Sequence, residues 1–125
     1  MDSKIKILVL DDEEIVVTRL KPSLEKDGYI VETFTDSRQA KARLEQQKFE
    51  IVITDLKMAN IDGMQLFYYV KEKWPDTAVI IISGFATMKV AQEAMQAGVR
   101  DVIAKPFKIS RIKELIVKIG TEIEK

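Results

Sequence analysis

The sequence predicts an α/β fold, a doubly wound parallel sheet with helices on both faces. Five short apolar segments alternate with stretches of helical period, the pattern of repeated β-α units. Three of those segments are near-continuous apolar runs, which suit strands covered on both sides. Parallel strands joined through helices take right-handed crossovers, and these wind the helices onto the two faces. The chain has 125 residues, 46% of them hydrophobic and 32% charged. This is the size and balance of one globular domain, taken as residues 1–125.

The elements follow in order. Residues 5–10 read as the first strand. The stripe Val16, Val17, Leu20 and Leu24 marks the first helix, and Gly28 stops it. Pro22 falls inside that helix, where it is expected to kink it. Residues 29–34 form the second strand. Asp36 with Gln39 resembles a capping box opening the second helix, which buries Ala40 and Leu44. Residues 51–54 are the third strand. Leu66, Phe67 and Val70 mark the third helix, with Pro75 just past its end and Trp74 as a packing residue there. Residues 77–82 are the fourth strand. Val90, Ala91, Ala94 and Met95 mark the fourth helix, closed by Gly98. Residues 99–104 make a fifth, weaker strand. Ile109, Ile112, Leu115, Ile116, Ile119 and Ile123 form the apolar stripe of the last helix, most of it core.

Composition removes several kinds of chemistry. There is no cysteine and no histidine. Disulfides, thiolate metal sites, imidazole general bases and a phosphohistidine are therefore absent from this chain. Twenty basic residues balance twenty acidic ones, which argues against bulk nucleic-acid binding. No apolar run approaches the roughly 18 residues of a membrane span. The first residues, Met1 to Lys4, lead straight into a strand without a leader pattern. The expected location is cytoplasmic.

In a doubly wound sheet, ligands bind beyond the carboxyl ends of the strands. Strand one ends in Asp11, Asp12, Glu13 and Glu14, strand three in Asp55, strand four in Ser83 and Gly84, strand five in Lys105 and Pro106. Each has an ordinary role when taken singly. Asp12 suits a helix N-cap, Asp55 a turn, Ser83 a cap and Lys105 a surface cation. Together, three carboxylates and one ammonium converge on one edge. Clustered carboxylates repel unless a cation joins them, and an all-oxygen set favours a hard divalent ion such as Mg²⁺. A metal, a lysine and a hydroxyl beside a spare carboxylate can handle a phosphoryl group, with the carboxylate attacking phosphorus.

These residues in this order resemble the receiver domain of bacterial two-component response regulators, across essentially the whole chain. The resemblance rests on Val9-Leu10-Asp11-Asp12-Glu13, Ile53-Thr54-Asp55-Leu56-Lys57-Met58, Asp62-Gly63, Ser83-Gly84 and Ala97-Gly98 followed by Lys105-Pro106-Phe107. It implies a five-stranded parallel sheet of order 2-1-3-4-5, a flavodoxin-like arrangement of which members of this family are a standard example. It implies Asp55 as phosphoacceptor and Asp11, Asp12, Asp55 and the Lys57 main-chain carbonyl as Mg²⁺ ligands. It further implies Ser83 and Lys105 as partners of the phosphoryl group, and a cis Lys105–Pro106 peptide. The chain would then be a phosphoacceptor that assists its own phosphorylation and dephosphorylation rather than an enzyme. Its donor would be the phosphohistidine of a sensor kinase or of a histidine phosphotransfer protein.

Three positions depart from the family pattern. Ala59 stands where proline is usual, Pro22 interrupts the first helix, and Val102 replaces the aromatic switch residue of strand five. With Val102 too short and stiff to toggle, the signal is expected to travel through residues 83–87 and the helix after them. The first 85 residues hold 12 basic and 15 acidic side chains, the rest 8 and 5. The mildly basic last two helices form the output or dimer face by the same resemblance, and a solvated face on composition alone. An effector domain is a further candidate partner. Three alternatives share the architecture. A mononucleotide binder would need a Ser-, Thr- or Gly-rich loop after strand one. A metal-dependent aspartyl-nucleophile phosphatase would need a substrate cap. A degenerate receiver would serve only as an interaction module.

Overall fold

A computed structural model describes residues 4–123. The leader reading made on Met1 to Ser3 lies outside them. The elements alternate as read from the sequence: β1 (Lys6–Leu10), α1 (Glu14–Lys26), β2 (Ile30–Phe34), α2 (Ser37–Gln46), β3 (Ile51–Asp55), α3 (Gly63–Lys73), β4 (Ala78–Ser83), α4 (Met88–Ala97), β5 (Asp101–Ala104) and α5 (Ile109–Ile123). All pairings are parallel and the sheet order is β2-β1-β3-β4-β5. No described helix is long and apolar enough to cross a membrane.

The period of two along a strand divides the core. Ile7 and Val9 of β1, Ile51 and Ile53 of β3, and Ile80 and Ile82 of β4 face α1 and α5. The residues between them, Leu8, Leu10, Val52, Val79 and Ile81, face α2, α3 and α4. β1, β3 and β4 are thus buried on both faces, which is why they read as continuous apolar runs. Each fully buried Leu or Ile contributes about 1.5–3 kcal/mol of transfer free energy. α5 lays Ile112, Leu115, Ile116 and Ile119 onto the first core, as its stripe predicts. Phe49, assigned no role from the sequence, is wholly buried between α2 and β3.

Several details differ from the sequence expectations. α1 runs unbroken across Pro22 and ends at Lys26, with Gly28 beyond it at φ +95°. Asp36 does cap α2, but its carboxylate accepts from the Arg38 N–H and no reciprocal box forms with Gln39. The capping box lies instead at the start of α3, between Asp62 and Gln65. Thr77 and Val99 precede their strands. The Thr77 hydroxyl donates to the Phe49 carbonyl at 2.6 Å, and the Val99 N–H bonds back to Ala94 at the αL stop on Gly98. Met95, one of the residues that mark α4, and Ile123, at the end of the α5 stripe, are exposed. A helical stripe marks an apolar face, and here the ends of those faces reach past the sheet. Trp74 closes α3 and donates its indole N–H to the Leu44 carbonyl, the packing role read for it.

α4 is the most lightly seated helix. Its one fully buried residue is Ala94, in its second half. At its C-terminal end Lys71 of α3 donates to the Ala97 carbonyl at 2.8 Å. At its N-terminal end Thr87 caps it locally through the Val90 N–H.

Candidate functional site

Parallel register builds the site. Leu10 of β1 pairs with Thr54 of β3, so the next residues along, Asp11 and Asp55, emerge side by side. Asp55 pairs with Ile82, and Ser83 with Ala104, so Ser83 and then Lys105 complete the same edge. The Asp11 N–H is tied to the Phe34 carbonyl, and the Lys105 N–H to that of Ser83. Each functional side chain is therefore carried by backbone fixed in the sheet.

The Lys105 ammonium sits among the acids. It lies 2.7 Å from Glu13 Oε1, 2.8 Å from Asp11 Oδ2 and 3.2 Å from Asp55 Oδ2. The carboxylates of Asp11, Asp12 and Asp55 each place an oxygen within 4.8 Å of the others. Asp11 is 0% exposed and Asp55 6%, whereas Asp12 faces solvent. The N-cap role suited to Asp12 falls to its neighbour: Glu13 is the cap of α1, with no side-chain cap bond, so Asp12 is free of that duty. Asp11 Oδ1 accepts from the Glu13 N–H, and Asp55 Oδ1 from the Leu56 N–H at 2.8 Å.

The electrostatics are those of an under-neutralised cluster. Burial first, and the Asp11 charge second, push the Asp55 carboxyl up to about 6, although Lys105 and the Leu56 N–H pull it down. Burial opposes the Lys105 charge, yet Asp11, Glu13 and Asp55 overcome it and hold the ammonium above the ordinary lysine range. Asp11 Oδ2 is buried and makes only the ionic approach to Lys105, out of line for a directed hydrogen bond. A buried anionic oxygen without a directed donor, beside two further carboxylates, fits a hard cation.

Residues 7–117 match the response regulator receiver domain family. The chain belongs to this family. A receiver domain protein from Clostridium thermocellum is 31% identical, superposes with a TM-score of 0.86, and is matched over 96% of this chain and 97% of its own. A response regulator from Burkholderia pseudomallei, solved with a phosphorylated aspartic acid, calcium ion and citrate, is 26% identical at TM-score 0.83, over 97% of this chain and 71% of its own. The transcriptional regulatory protein ZraR of Salmonella typhimurium is 32% identical over 92% of this chain, and the C4-dicarboxylate transport regulatory protein DctD of Rhizobium meliloti 31% over 90%. This receiver spans about a quarter of those two relatives, 26% and 24% of their length. It is a receiver domain of the two-component class, a family of phosphoacceptors, and the mononucleotide-binder and phosphatase alternatives fall away.

The remaining residues implied by the resemblance are spread around this edge. The Lys105–Pro106 peptide is cis. Ser83 is buried at the end of β4, but its hydroxyl accepts from the Phe85 N–H at 2.8 Å and reaches no acid of the site among the described residues. Lys57 is exposed, with its ammonium over the Phe85 ring, and its carbonyl accepts no hydrogen bond from the described residues. Val102 is half-buried against the second core.

Three contributors were given no separate role from the sequence. Glu13 supplies the shortest contact to Lys105, across 92 residues. Ser37, buried at the start of α2, donates to the Ala59 carbonyl at 2.9 Å and accepts from the Ile61 N–H at 3.1 Å. It thereby clasps the loop where proline is missing and Asn60 adopts φ +72°. Gly63 lies so near β3 that a Cβ there would fall 2.4 Å from the Asp55 carbonyl oxygen. Glu13 and Gly63 carried a sequence signal as parts of family motifs, and Ser37 carried none.

Proposed function

We propose that Asp55 takes a phosphoryl group from a phosphohistidine on a partner protein and that Asp11, Asp12, Asp55 and the Lys57 carbonyl hold Mg²⁺ for that reaction. The observation that carries this reading is the position of Asp55: nearly buried, ionisable, and turned toward a lysine at the ligand edge of the sheet. When bound, Mg²⁺ would neutralise phosphoryl oxygens and relieve the repulsion among the acids. A carboxylate oxygen of Asp55 forms the new P–O bond as the donor's P–N bond breaks. The electron pair leaves with the donor nitrogen, which is protonated from solvent. Lys105 offers a fixed point charge to the transferred group. Ser83 is the hydroxyl that can join it, because it accepts from the Phe85 N–H and so keeps its own O–H to donate.

In this reading the donor docks beside the site. A groove of about 400 Å³ beside Glu13 and Lys105 is walled by Ile15, Val16, Leu20, Pro106 and Phe107. Ile15 is 63% exposed there, a large apolar side chain of the kind that anchors an interface. The partners in this reading are a sensor kinase or a histidine phosphotransfer protein, and an effector domain as in the longer relatives. The cell interior is where they would meet.

Incubation with acetyl phosphate and Mg²⁺ should add one phosphoryl mass to the intact protein, and Asp55→Asn should add none. Equal labelling of that variant would refute the acceptor. In the same buffer Mg²⁺ should raise the melting temperature of the unmodified protein by linkage. Asp12→Ala should lose this rise, and retention of the full rise would refute the metal set.

A further inference from the structure

The Lys105 ammonium donates to Glu13 and Asp55, and the Asp11 carboxylate crowds it from a third side without a directed bond. Glu13 is at 2.7 Å, Asp11 at 2.8 Å and Asp55 at 3.2 Å. Three carboxylate oxygens within 3.2 Å crowd the ammonium, and a phosphoryl oxygen reaches it closely only as one of them moves aside. They are not equally free to do so. Asp11 is wholly buried, with its other oxygen on the Glu13 N–H. Asp55 is nearly buried and tied to the Leu56 N–H. The Glu13 side chain is 59% exposed and makes no cap bond to α1. It alone can swing into water without leaving a buried charge behind.

We propose that Glu13 is a placeholder anion, occupying on Lys105 the direction that a phosphoryl oxygen must take. This rests on Asp55 being the phosphoacceptor. A phosphorylated Asp55 has lost its carboxylate charge, and the group it carries is a dianion or close to one. Glu13 is displaced to solvent as that group meets Lys105. It is a positioning residue. It holds the lysine at the mouth of the site beforehand and competes with the phosphoryl group afterwards.

The test uses the whole chain, saturating Mg²⁺ and beryllofluoride as the phosphoryl mimic, with binding followed by backbone NMR. An exposed ion pair of this kind corresponds to a change of up to about fivefold. Glu13→Gln keeps the shape and removes the charge, and should tighten binding about three- to fivefold. Glu14→Gln, which removes a neighbouring charge without touching Lys105, should change it less than twofold. In a Lys105→Met background the gain from Glu13→Gln should vanish. In the metal-free protein the Lys105 ε-methylene resonance should shift with Glu13→Gln and not with Glu14→Gln, which reads the contact itself. An equal gain from Glu14→Gln, a gain that survives in Lys105→Met, an unmoved ε-methylene resonance, or no gain at all would overturn the placeholder. Failure of the unmodified chain to bind beryllofluoride would instead overturn the acceptor reading, and the placeholder with it.

Discussion

Replacing Asp55 with asparagine should make the metal-free protein more stable at pH 7, although it removes the group on which the proposed chemistry depends. The native state holds the Asp55 proton more tightly than the unfolded chain does, with a carboxyl raised to about 6 from 3.8. A raised acid contributes stability that is fully present below the unfolded value and is lost as pH rises through the folded one. Above about pH 6 the ionised carboxylate therefore burdens the fold. Asparagine mimics the protonated form, can keep the Leu56 N–H bond, and leaves Lys105 paired to Asp11 and Glu13. Holding that proton up to about pH 6 corresponds to about 3 kcal/mol at most. Relaxation and water at the open edge reduce this to about 1–2 kcal/mol. Urea titrations in EDTA should show that gain at pH 7 and its disappearance near pH 4. Saturating Mg²⁺ should reverse the order, because the unmodified site then gains binding free energy. A destabilised variant at pH 7 in EDTA would show that the Asp55–Lys105 attraction outweighs burial and the Asp11 charge.

Gly63→Ala should have the larger effect, in the opposite direction. Glycine at the start of an exposed helix is a weak spot, and alanine there would ordinarily add about 0.5–1 kcal/mol. Here the added carbon would fall 2.4 Å from the Asp55 carbonyl oxygen and 2.9 Å from the Leu56 Cα. Both are backbone atoms, and the Gly63 N–H is bonded to the Leu56 carbonyl at 2.9 Å. Neither wall can yield without moving β3 or α3. Overpacking against fixed backbone exceeds the helix gain, for a net loss of about 2–4 kcal/mol. The melting temperature should fall by about 10 °C, and metal binding should weaken because the shifted backbone carries Asp55. An unchanged or raised melting temperature would show that the first turn of α3 can slide freely.

The sequence made the architecture legible because β1, β3 and β4 are buried on both sides and say so in continuous apolar runs. The site was legible for a related reason. A parallel sheet brings the residues after its strands to one edge, so Asp11, Asp55, Ser83 and Lys105 could be gathered without coordinates. What escaped depends on side-chain reach. Glu13 meets Lys105 across the whole length of the fold, and Ser37 clasps residues 22 and 24 positions away. No local pattern encodes either contact. The same limit misplaced the capping box: Asp36-x-x-Gln39 and Asp62-x-x-Gln65 have equal claims as text, and only the backbone decides between them. Met95 belongs to the stripe that marks α4 yet is exposed, because periodicity marks a face without saying how far the sheet beneath it extends.

The uneven seating of α4 makes it a lever. Its far end is pinned by Lys71 on the Ala97 carbonyl and by burial of Ala94. Its near end is joined to the site by the few residues that run from Ser83 to the Thr87 cap. A helix of 10 residues is about 15 Å long, so a 1 Å pull on the first turn swings the rod by about 4° about its pinned end. The Ser83 hydroxyl holds the Phe85 N–H, so a displacement of Ser83 toward the site is felt by that segment. Amide exchange at residues 91–93 should accordingly outpace exchange at residues 95–98, and the difference should widen when the site is filled. The exposed Met88, at the moving tip, sweeps the widest arc, whereas Met95 near the fulcrum hardly stirs. A partner resting on the first turn of α4 would feel the site's state, and one resting on the last turn would not.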